Sequence, residues 1–148
     1  MPVFSSHFNH NFYTVSFRIQ HIAFCDDDPD DHEIFATIMA SSFPHIKVYD
    51  FFKCEVLLGY LKDESKLLPD IIFLDYNMPG NAGNECLKEI KKMLRPLHIP
   101  VIIYSTSDYK KFIEESYRHG AYRYLVKPGN YNQAKTEIIQ LINAMQND

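Results

Sequence analysis

The chain has 148 residues, of which 46% are hydrophobic, 14% aromatic and 23% charged. This composition predicts a single folded domain with one ordinary core and argues against a disordered chain. The formal net charge of -4 lacks the basic excess of a nucleic-acid-binding surface, so we expect no direct nucleic-acid partner. No apolar stretch approaches the length of a membrane span, so we expect no membrane partner.

The amino-terminal residues 1–17 show no usable hydrophobic period and lack the apolar segment and cleavage site of a signal peptide. We interpret them as an extension of unknown role, followed by one domain over 18–148. His7 and His10 are candidate metal ligands there, but two histidines alone are a weak signal, and a plain tail is the preferred interpretation.

The three cysteines are an odd number, with no spacing typical of a metal site or a disulfide. Cys25 lies in a strand-like run, where a cysteine serves as a small hydrophobic residue. This cysteine usage predicts a reducing, cytoplasmic location.

Strand-like apolar runs alternate with helix-like patterns along the rest of the chain. The predicted strands are 21–25, 46–51, 70–76, 100–105 and 122–126. Asp28 followed by Pro29 is typical of a helix start. Gly120 is typical of a helix stop after Phe112 and Tyr117. Apolar residues at helical spacing mark the buried faces: Ile34, Phe35, Ile38 and Met39; Leu57, Leu58 and Leu61; Leu87, Ile90 and Leu94; and Ile138, Leu141, Ile142 and Met145.

Five strand–helix units predict a parallel sheet covered on both faces, because each crossover is right-handed. The leading fold is therefore α/β, a flavodoxin-like (βα)5 doubly wound sheet with strand order 2-1-3-4-5. In that order the first and third strands are neighbours at the switch point, where ligands bind beyond the carboxyl ends of the strands.

The segment IAFCDDDPDD places carboxylates directly after the first strand. Asp26 and Asp27 end that strand and Asp75 ends the third, so we expect the three to converge in one crevice. Such an oxygen-rich site suits Mg²⁺. Helix capping by Asp28 and helix-dipole effects of the next two acids explain the rest of the acidic run, but not Asp26 and Asp27.

Two more strand ends add polar groups to the same edge of the sheet. Ser105 follows the fourth strand and Lys127 follows the fifth. Taken singly, Ser105 is also typical of a cap and Lys127 of an ion pair. Acids, a hydroxyl and an ammonium on one edge are together more typical of a functional site.

From about residue 19 to 146 the chain resembles the receiver domain of two-component response regulators. The intervals of fifteen residues from Ser105 to Gly120, and of seven from Gly120 to Lys127, match the register of that family. Four linked motifs carry the resemblance: FCDDDPDDHEIF, IIFLDYNMPGNAGNECLKEIKK, IPVIIYSTS and HGAYRYLVKP.

The resemblance implies a role for each matching residue in the crevice. Asp75 would be the phosphoacceptor for a sensor histidine kinase or a phosphotransfer protein. Asp27, Asp75 and the backbone carbonyl of Asn77 would bind Mg²⁺, with Asp26 acting mainly through water. Lys127 would contact the phosphoryl oxygens. The protein would then be a switch and no enzyme beyond its own phosphorylation and dephosphorylation.

The resemblance also implies a switch pair and a mode of output. Ser105 would hydrogen-bond the phosphorylated site, and Tyr124 would rotate inward with it. No output domain is expected after the last helix, so a stand-alone receiver would act by docking to an unknown downstream protein. A homodimer through the face of the fourth helix and fifth strand is a further expectation.

The chain departs from the family pattern at several points. His32 stands where many relatives carry Arg or Lys, and the segment joining the second and third strands is longer than usual. Thr106 is bulkier than the residue often found after the switch hydroxyl, so we expect it to influence the phosphate lifetime.

Four alternatives compete with a phosphorylated receiver. A haloacid-dehalogenase-like phosphatase would carry Asp at the position of Asn77, and a flavodoxin-like electron carrier would have a phosphate-cradling first loop. A calcium loop starting at Asp26 fails at Asp31, where Gly is needed, and at Thr37 in its last position. A degenerate receiver that binds partners without phosphorylation is the alternative that stays open.

Overall fold

A computed structural model describes residues 18–147, apart from 94 and 97. The predicted extension at 1–17, with His7 and His10, and the expected core residue Leu94 lie outside the described residues. Within the described part, no helix is both long and apolar enough to cross a membrane.

The five strands form one parallel sheet in the order β2-β1-β3-β4-β5, which confirms the predicted topology. The three central strands are almost fully buried, since helices cover both faces of the sheet. The strands are β1 (His21–Cys25), β2 (Lys47–Phe51), β3 (Ile71–Leu74), β4 (Val101–Ser105) and β5 (Arg123–Val126).

Five helices follow the strands in turn, and a short 3₁₀ turn, Pro79–Asn81, precedes the third. The helices are α1 (Pro29–Ser42), α2 (Cys54–Lys62), α3 (Ala82–Lys92), α4 (Lys110–Arg118) and α5 (Tyr131–Asn147). Asp28 caps α1 by accepting the N–H of Asp30, as predicted, and Gly120 adopts a positive φ of 101° just after α4.

The core consists of two apolar layers, one on each face of the sheet. Alternate residues of a strand point to opposite faces, so Phe24 packs with α1 and α5, whereas Cys25 packs on the side of α2 and α3. The two layers leave the carboxyl ends of the strands as the open edge where polar groups meet.

Some local expectations were wrong. Ile34 is 41% exposed, because the buried face of α1 runs through His32, Phe35, Ile38 and Met39. The third strand ends at Leu74 instead of residue 76, because the carboxylate of Asp75 accepts the N–H of Asn77 and turns the chain.

The expectation that no cysteines pair was also wrong. Cys54 and Cys86 form a disulfide whose Cα atoms are 5.8 Å apart. Their sequence separation of 32 gives no local signal, because only the packing of α2 against α3 brings the two helix starts together.

Candidate functional site

The acidic pair is held where β1 ends. The N–H of Asp26 donates to the carbonyl of Phe51 at 3.0 Å, which fixes the loop beside the end of β2. Asp26 is buried and its Oδ1 accepts the N–H of Asp28 at 3.0 Å, whereas Asp27 is exposed. The loop therefore presents one buried and one solvent-facing carboxylate.

Asp75 is held at the end of the neighbouring strand. Its N–H donates to the carbonyl of Cys25 at 3.0 Å, and its Oδ1 accepts the N–H of Asn77 at 3.0 Å. Gly83, in the first turn of α3, packs so closely that a Cβ there would lie 2.3 Å from the Asp75 carbonyl oxygen. The loop after β3 is thus held by β1 on one side and by α3 on the other.

The three carboxylates converge as the sequence predicts. Ligand oxygens of Asp26, Asp27 and Asp75 all lie within 4.8 Å of one another. They share an open cleft of about 410 Å³, which Asn77 and Thr106 also line. Because all three groups are carboxylates at one solvent-open point, they fit a hard divalent cation with oxygen ligands.

Lys127 supplies the positive charge of the cleft. Its Nζ donates to Asp26 at 2.6 Å and to Asp31 at 2.8 Å, and lies 3.8 Å from Asp75 Oδ2. The backbone N–H of Lys127 donates to the Ser105 carbonyl at 2.7 Å, which fixes the residue at the end of the sheet. One ammonium thus faces acids from three different segments.

The buried charges shift each other's protonation. Burial raises the pKa of Asp26 and of Asp75 above the ordinary value of a carboxyl, although Lys127 opposes both shifts. Burial alone would lower the pKa of Lys127, but its hydrogen bonds to Asp26 and Asp31 and the charge of Asp75 raise it overall. The surroundings therefore stabilise the charged form of Lys127 and destabilise the charged forms of Asp26 and Asp75.

The two residues of the predicted switch lie beside the cleft and are not part of its lining. Ser105 is fully buried, and its Oγ accepts the N–H of Ser107 at 3.3 Å. Tyr124 is 8% exposed, and its hydroxyl donates to the Ser107 carbonyl at 2.8 Å. In this structure the Tyr124 ring is therefore on the inner side of the β4–α4 loop.

Asn77 and Thr106 face each other across the mouth of the cleft. The Asn77 side-chain amide donates to the Thr106 hydroxyl at 3.4 Å, a long and weak contact. Both side chains line the cleft that contains Asp75.

Two residues of the site were missed by sequence reasoning. The sequence predicts that Asp31 favours the start of the helix, whereas in the structure it is a direct partner of Lys127. His32 contacts Asp50 Oδ1 through Nδ1 and the Asp26 carbonyl through Nε2, each at 2.7 Å, and stacks on Phe52. The acidic run pointed to Asp31 only in general terms, and no sequence signal identified the bridging role of His32.

The cleft combines an oxygen-rich cation site with a carboxylate that has a free oxygen. Asp75 Oδ1 is occupied by a backbone N–H, whereas Oδ2 faces the cleft near Lys127. A bound dianionic group would find one fixed ammonium and a cation held by the acids. This arrangement is suited to a carboxylate nucleophile acting on a phosphoryl group.

Comparison with protein families and curated proteins gives matches over most of the chain. The profile described as "Response regulator receiver domain" matches residues 22–139. The chain is 31% identical over 108 residues to two-component response regulator ORR13 of Oryza sativa subsp. japonica, covering 73% of this chain and 86% of that protein. It is 30% identical over 115 residues to ORR1 of the same subspecies, covering 74% of this chain and 50% of that protein. The chain thus spans about half the length of ORR1.

Solved structures show the same architecture. The phosphorylated cyanobacterial phytochrome response regulator RcpA superposes with a TM-score of 0.77 at 27% identity, over 84% of this chain and 91% of that one. Response regulator RPA3017, from red light signalling of R. palustris, gives 0.78 at 25% identity, over 88% and 96% of the two chains.

Proposed function

The chain belongs to the response regulator receiver domain family of two-component systems, and from this premise we propose that it accepts a phosphoryl group on Asp75. The observation that carries the proposal is the convergence of Asp26, Asp27 and Asp75 in one cleft with Lys127. The similar response regulator RcpA is described in its phosphorylated form.

The donor would be the phosphohistidine of a sensor histidine kinase or a phosphotransfer protein. An oxygen of Asp75, in our proposal Oδ2, attacks phosphorus in line with the P–N bond. That bond breaks, its electron pair returns to the imidazole nitrogen, and an acyl phosphate forms on Asp75. Lys127 is close enough to Oδ2, at 3.8 Å, to turn its ammonium toward the new phosphoryl oxygens.

Asp26, Asp27 and Asp75, with the backbone carbonyl of Asn77, are the residues that we propose to hold Mg²⁺. When bound, the cation would neutralise charge on the phosphoryl oxygens. Beyond holding it, the chain itself fixes Asp75 through its hydrogen bonds with the Cys25 carbonyl and the Asn77 N–H. On this proposal the protein is a switch and turns over no separate substrate.

Ser105 and Tyr124 would transmit the change. An acyl phosphate adds about one and a half to two negative charges and new acceptor oxygens, which favour movement of the Ser105 hydroxyl toward Asp75. Tyr124 is hydrogen-bonded to the loop that begins at Ser105, so a shift of that loop alters the Tyr124 contact. We propose that a downstream protein or a second copy docks on the adjoining surface, where the side chains of Tyr117 and Tyr122 are exposed.

A single labelling experiment tests the proposal. Purified protein is incubated with acetyl phosphate, with and without Mg²⁺, and its intact mass is measured. We expect an adduct of one phosphoryl group that requires Mg²⁺, is stable in acid and is lost in base. The adduct should be absent from Asp75→Asn and present in Asp63→Asn, a matched change of an exposed acid that does not line the cleft.

The outcomes separate the two functions that the sequence left open. Labelling that disappears only in Asp75→Asn supports the phosphoacceptor function. No labelling of a folded protein would overturn it and favour a receiver that binds partners without phosphorylation. Light scattering with size-exclusion chromatography, with and without a phosphoryl mimic, then tests whether the modified form dimerises.

A further inference from the structure

The disulfide between Cys54 and Cys86 lies outside the machinery proposed above. Cys54 is the first residue of α2, and Cys86 lies in the second turn of α3. Their Cα separation of 5.8 Å is within the ordinary range for a disulfide, so the backbone needs no rearrangement to form the bond. Two helices that follow different strands are thereby joined covalently.

The fold does not depend on the bond to bring these helices together. Leu57 and Leu61 of α2 and Leu87 and Ile90 of α3 are fully buried in the same apolar layer. Two thiols in place of the disulfide would fill this space as small hydrophobic groups. The oxidised and reduced chains can therefore share one fold.

The two sulfur positions differ in how easily a reagent reaches them. Cys54 is 9% exposed at the start of its helix, whereas Cys86 is fully buried. The positive end of a helix stabilises a thiolate at its first residue. These two features favour Cys54 as the thiol that reacts first with a small reagent and Cys86 as the thiol that resolves the mixed disulfide.

We propose that Cys54 and Cys86 form a reversible dithiol–disulfide site that exchanges with small disulfides such as oxidised glutathione. The Cys54 thiolate attacks one sulfur of the small disulfide, which forms a mixed disulfide and releases one small thiol. The Cys86 thiolate then attacks the Cys54 sulfur and releases the second small thiol. Two protein thiols are oxidised to one disulfide, and one small disulfide is reduced to two thiols.

The site gives the chain a second covalent input, next to the acidic cluster. Cys54 lies three residues after Phe51, whose carbonyl holds the Asp26 N–H. Cys86 lies three residues after Gly83, whose Cα packs on the Asp75 loop. Oxidation therefore links the segment that follows Phe51 to the segment that follows Gly83, and both segments contact the loops of the cleft. The bond also closes a loop of 32 residues in the unfolded chain. We expect the oxidised protein to melt about 10 °C above the reduced protein.

The test equilibrates the native protein in mixtures of reduced and oxidised glutathione, followed by acid quench, thiol alkylation and intact mass measurement. Two thiols should disappear together at intermediate ratios in the wild type and in the matched control Cys25→Ala, which changes the cysteine that has no disulfide. Cys86→Ala should instead accumulate a glutathione adduct on Cys54. Asp75→Asn should oxidise as the wild type does, which separates this site from the phosphoacceptor.

Three results would overturn the proposal. A pair that stays oxidised in excess reduced glutathione until the chain is unfolded would be a permanent structural bond. A pair that stays reduced in excess oxidised glutathione would be two packed thiols. An adduct on Cys25 in place of Cys54 would mean that exposure and helix position do not direct the exchange.

Discussion

Replacing Asp75 by Asn should make the protein more stable when no metal is present. At a separation of at most 4.8 Å, Asp26 and Asp27 each repel the Asp75 carboxylate by about 3.5 kcal/mol at an effective dielectric constant near 20. Lys127 at 3.8 Å offsets this with an attraction of about 4.4 kcal/mol. An amide removes both effects and can still accept the N–H of Asn77, so we expect a net stabilisation of about 2.6 kcal/mol.

The stability difference between Asp75→Asn and the wild type should depend on pH in a definite direction. Burial raises the pKa of Asp75 in the folded protein, so the folded state binds its proton more tightly than the unfolded state does. The destabilising charge is absent below the ordinary carboxyl pKa and grows as the pH rises through the raised value. The advantage of Asp75→Asn should therefore be larger at neutral pH than at about pH 4, near the ordinary pKa of a carboxyl group.

The assay is urea unfolding followed by circular dichroism, in a chelator and then in excess Mg²⁺. The midpoint of Asp75→Asn should rise by about 1 M in chelator at neutral pH. Mg²⁺ should narrow the gap because it binds the folded wild type more tightly than the variant. Asp63→Asn should be no more stable than the wild type at any pH, because the hydrogen bonds from Ser65 lower the pKa of Asp63 in the folded protein. A variant no more stable than the wild type in chelator, or one whose advantage persists at acid pH, would refute the charge-repulsion argument.

Three further changes probe the same cleft. Lys127→Met leaves Asp26 buried without its cation and should destabilise the fold by about 3–5 kcal/mol in urea unfolding; a loss below about 1 kcal/mol would contradict a buried pair. Gly83→Ala places a Cβ 2.3 Å from the backbone oxygen of Asp75. The substitution should therefore destabilise the protein by about 3 kcal/mol and impair labelling by acetyl phosphate. Normal labelling of this variant would contradict the close packing of Gly83 on the Asp75 loop. Thr106→Ala opens the cleft mouth and should speed loss of the phosphoryl group by up to about fivefold, as followed by intact mass; an unchanged decay rate would show that Thr106 does not shield the site.

The fold could be predicted from the sequence because each step depends on local pattern and on the handedness of crossovers. The runs that form β1, β3 and β4 are apolar without alternation, as strands covered on both faces must be. Right-handed crossovers then restrict the strand order, and the observed order matches. The exposure of Ile34 was not predicted, because the apolar residues of α1 fit more than one choice of buried helix face.

The meeting of the site residues could be predicted for a related reason. Parallel strands end at the same edge, so Asp26, Asp75 and Lys127 meet even though they are far apart in sequence. What a side chain does after the strand ends was not predictable, since it depends on distances between loops. The contact of Asp31 with Lys127 and the bridge made by His32 belong to this class.

The disulfide was missed because it depends on two helices. A spacing of 32 residues between Cys54 and Cys86 is uninformative until α2 and α3 are placed on the same face of the sheet. The predicted topology already implied that placement, but it did not fix the rotation of either helix about its axis. That rotation decides whether the two Cβ atoms face each other.

The charge balance of the cleft explains why its composition is unfavourable for the isolated chain. Four carboxylates either converge as a possible metal cluster or pair with Lys127, and their four negative charges against its one positive charge leave an excess of three: Asp26, Asp27, Asp31 and Asp75. A divalent cation would reduce that excess to one. The stability gained by Asp75→Asn in chelator and the affinity of the wild type for Mg²⁺ should therefore have the same origin. When the acids of the cleft are neutralised one at a time, each substitution should reduce both the stabilisation by Asp75→Asn and the affinity for Mg²⁺. The substitutions should rank in the same order for the two quantities.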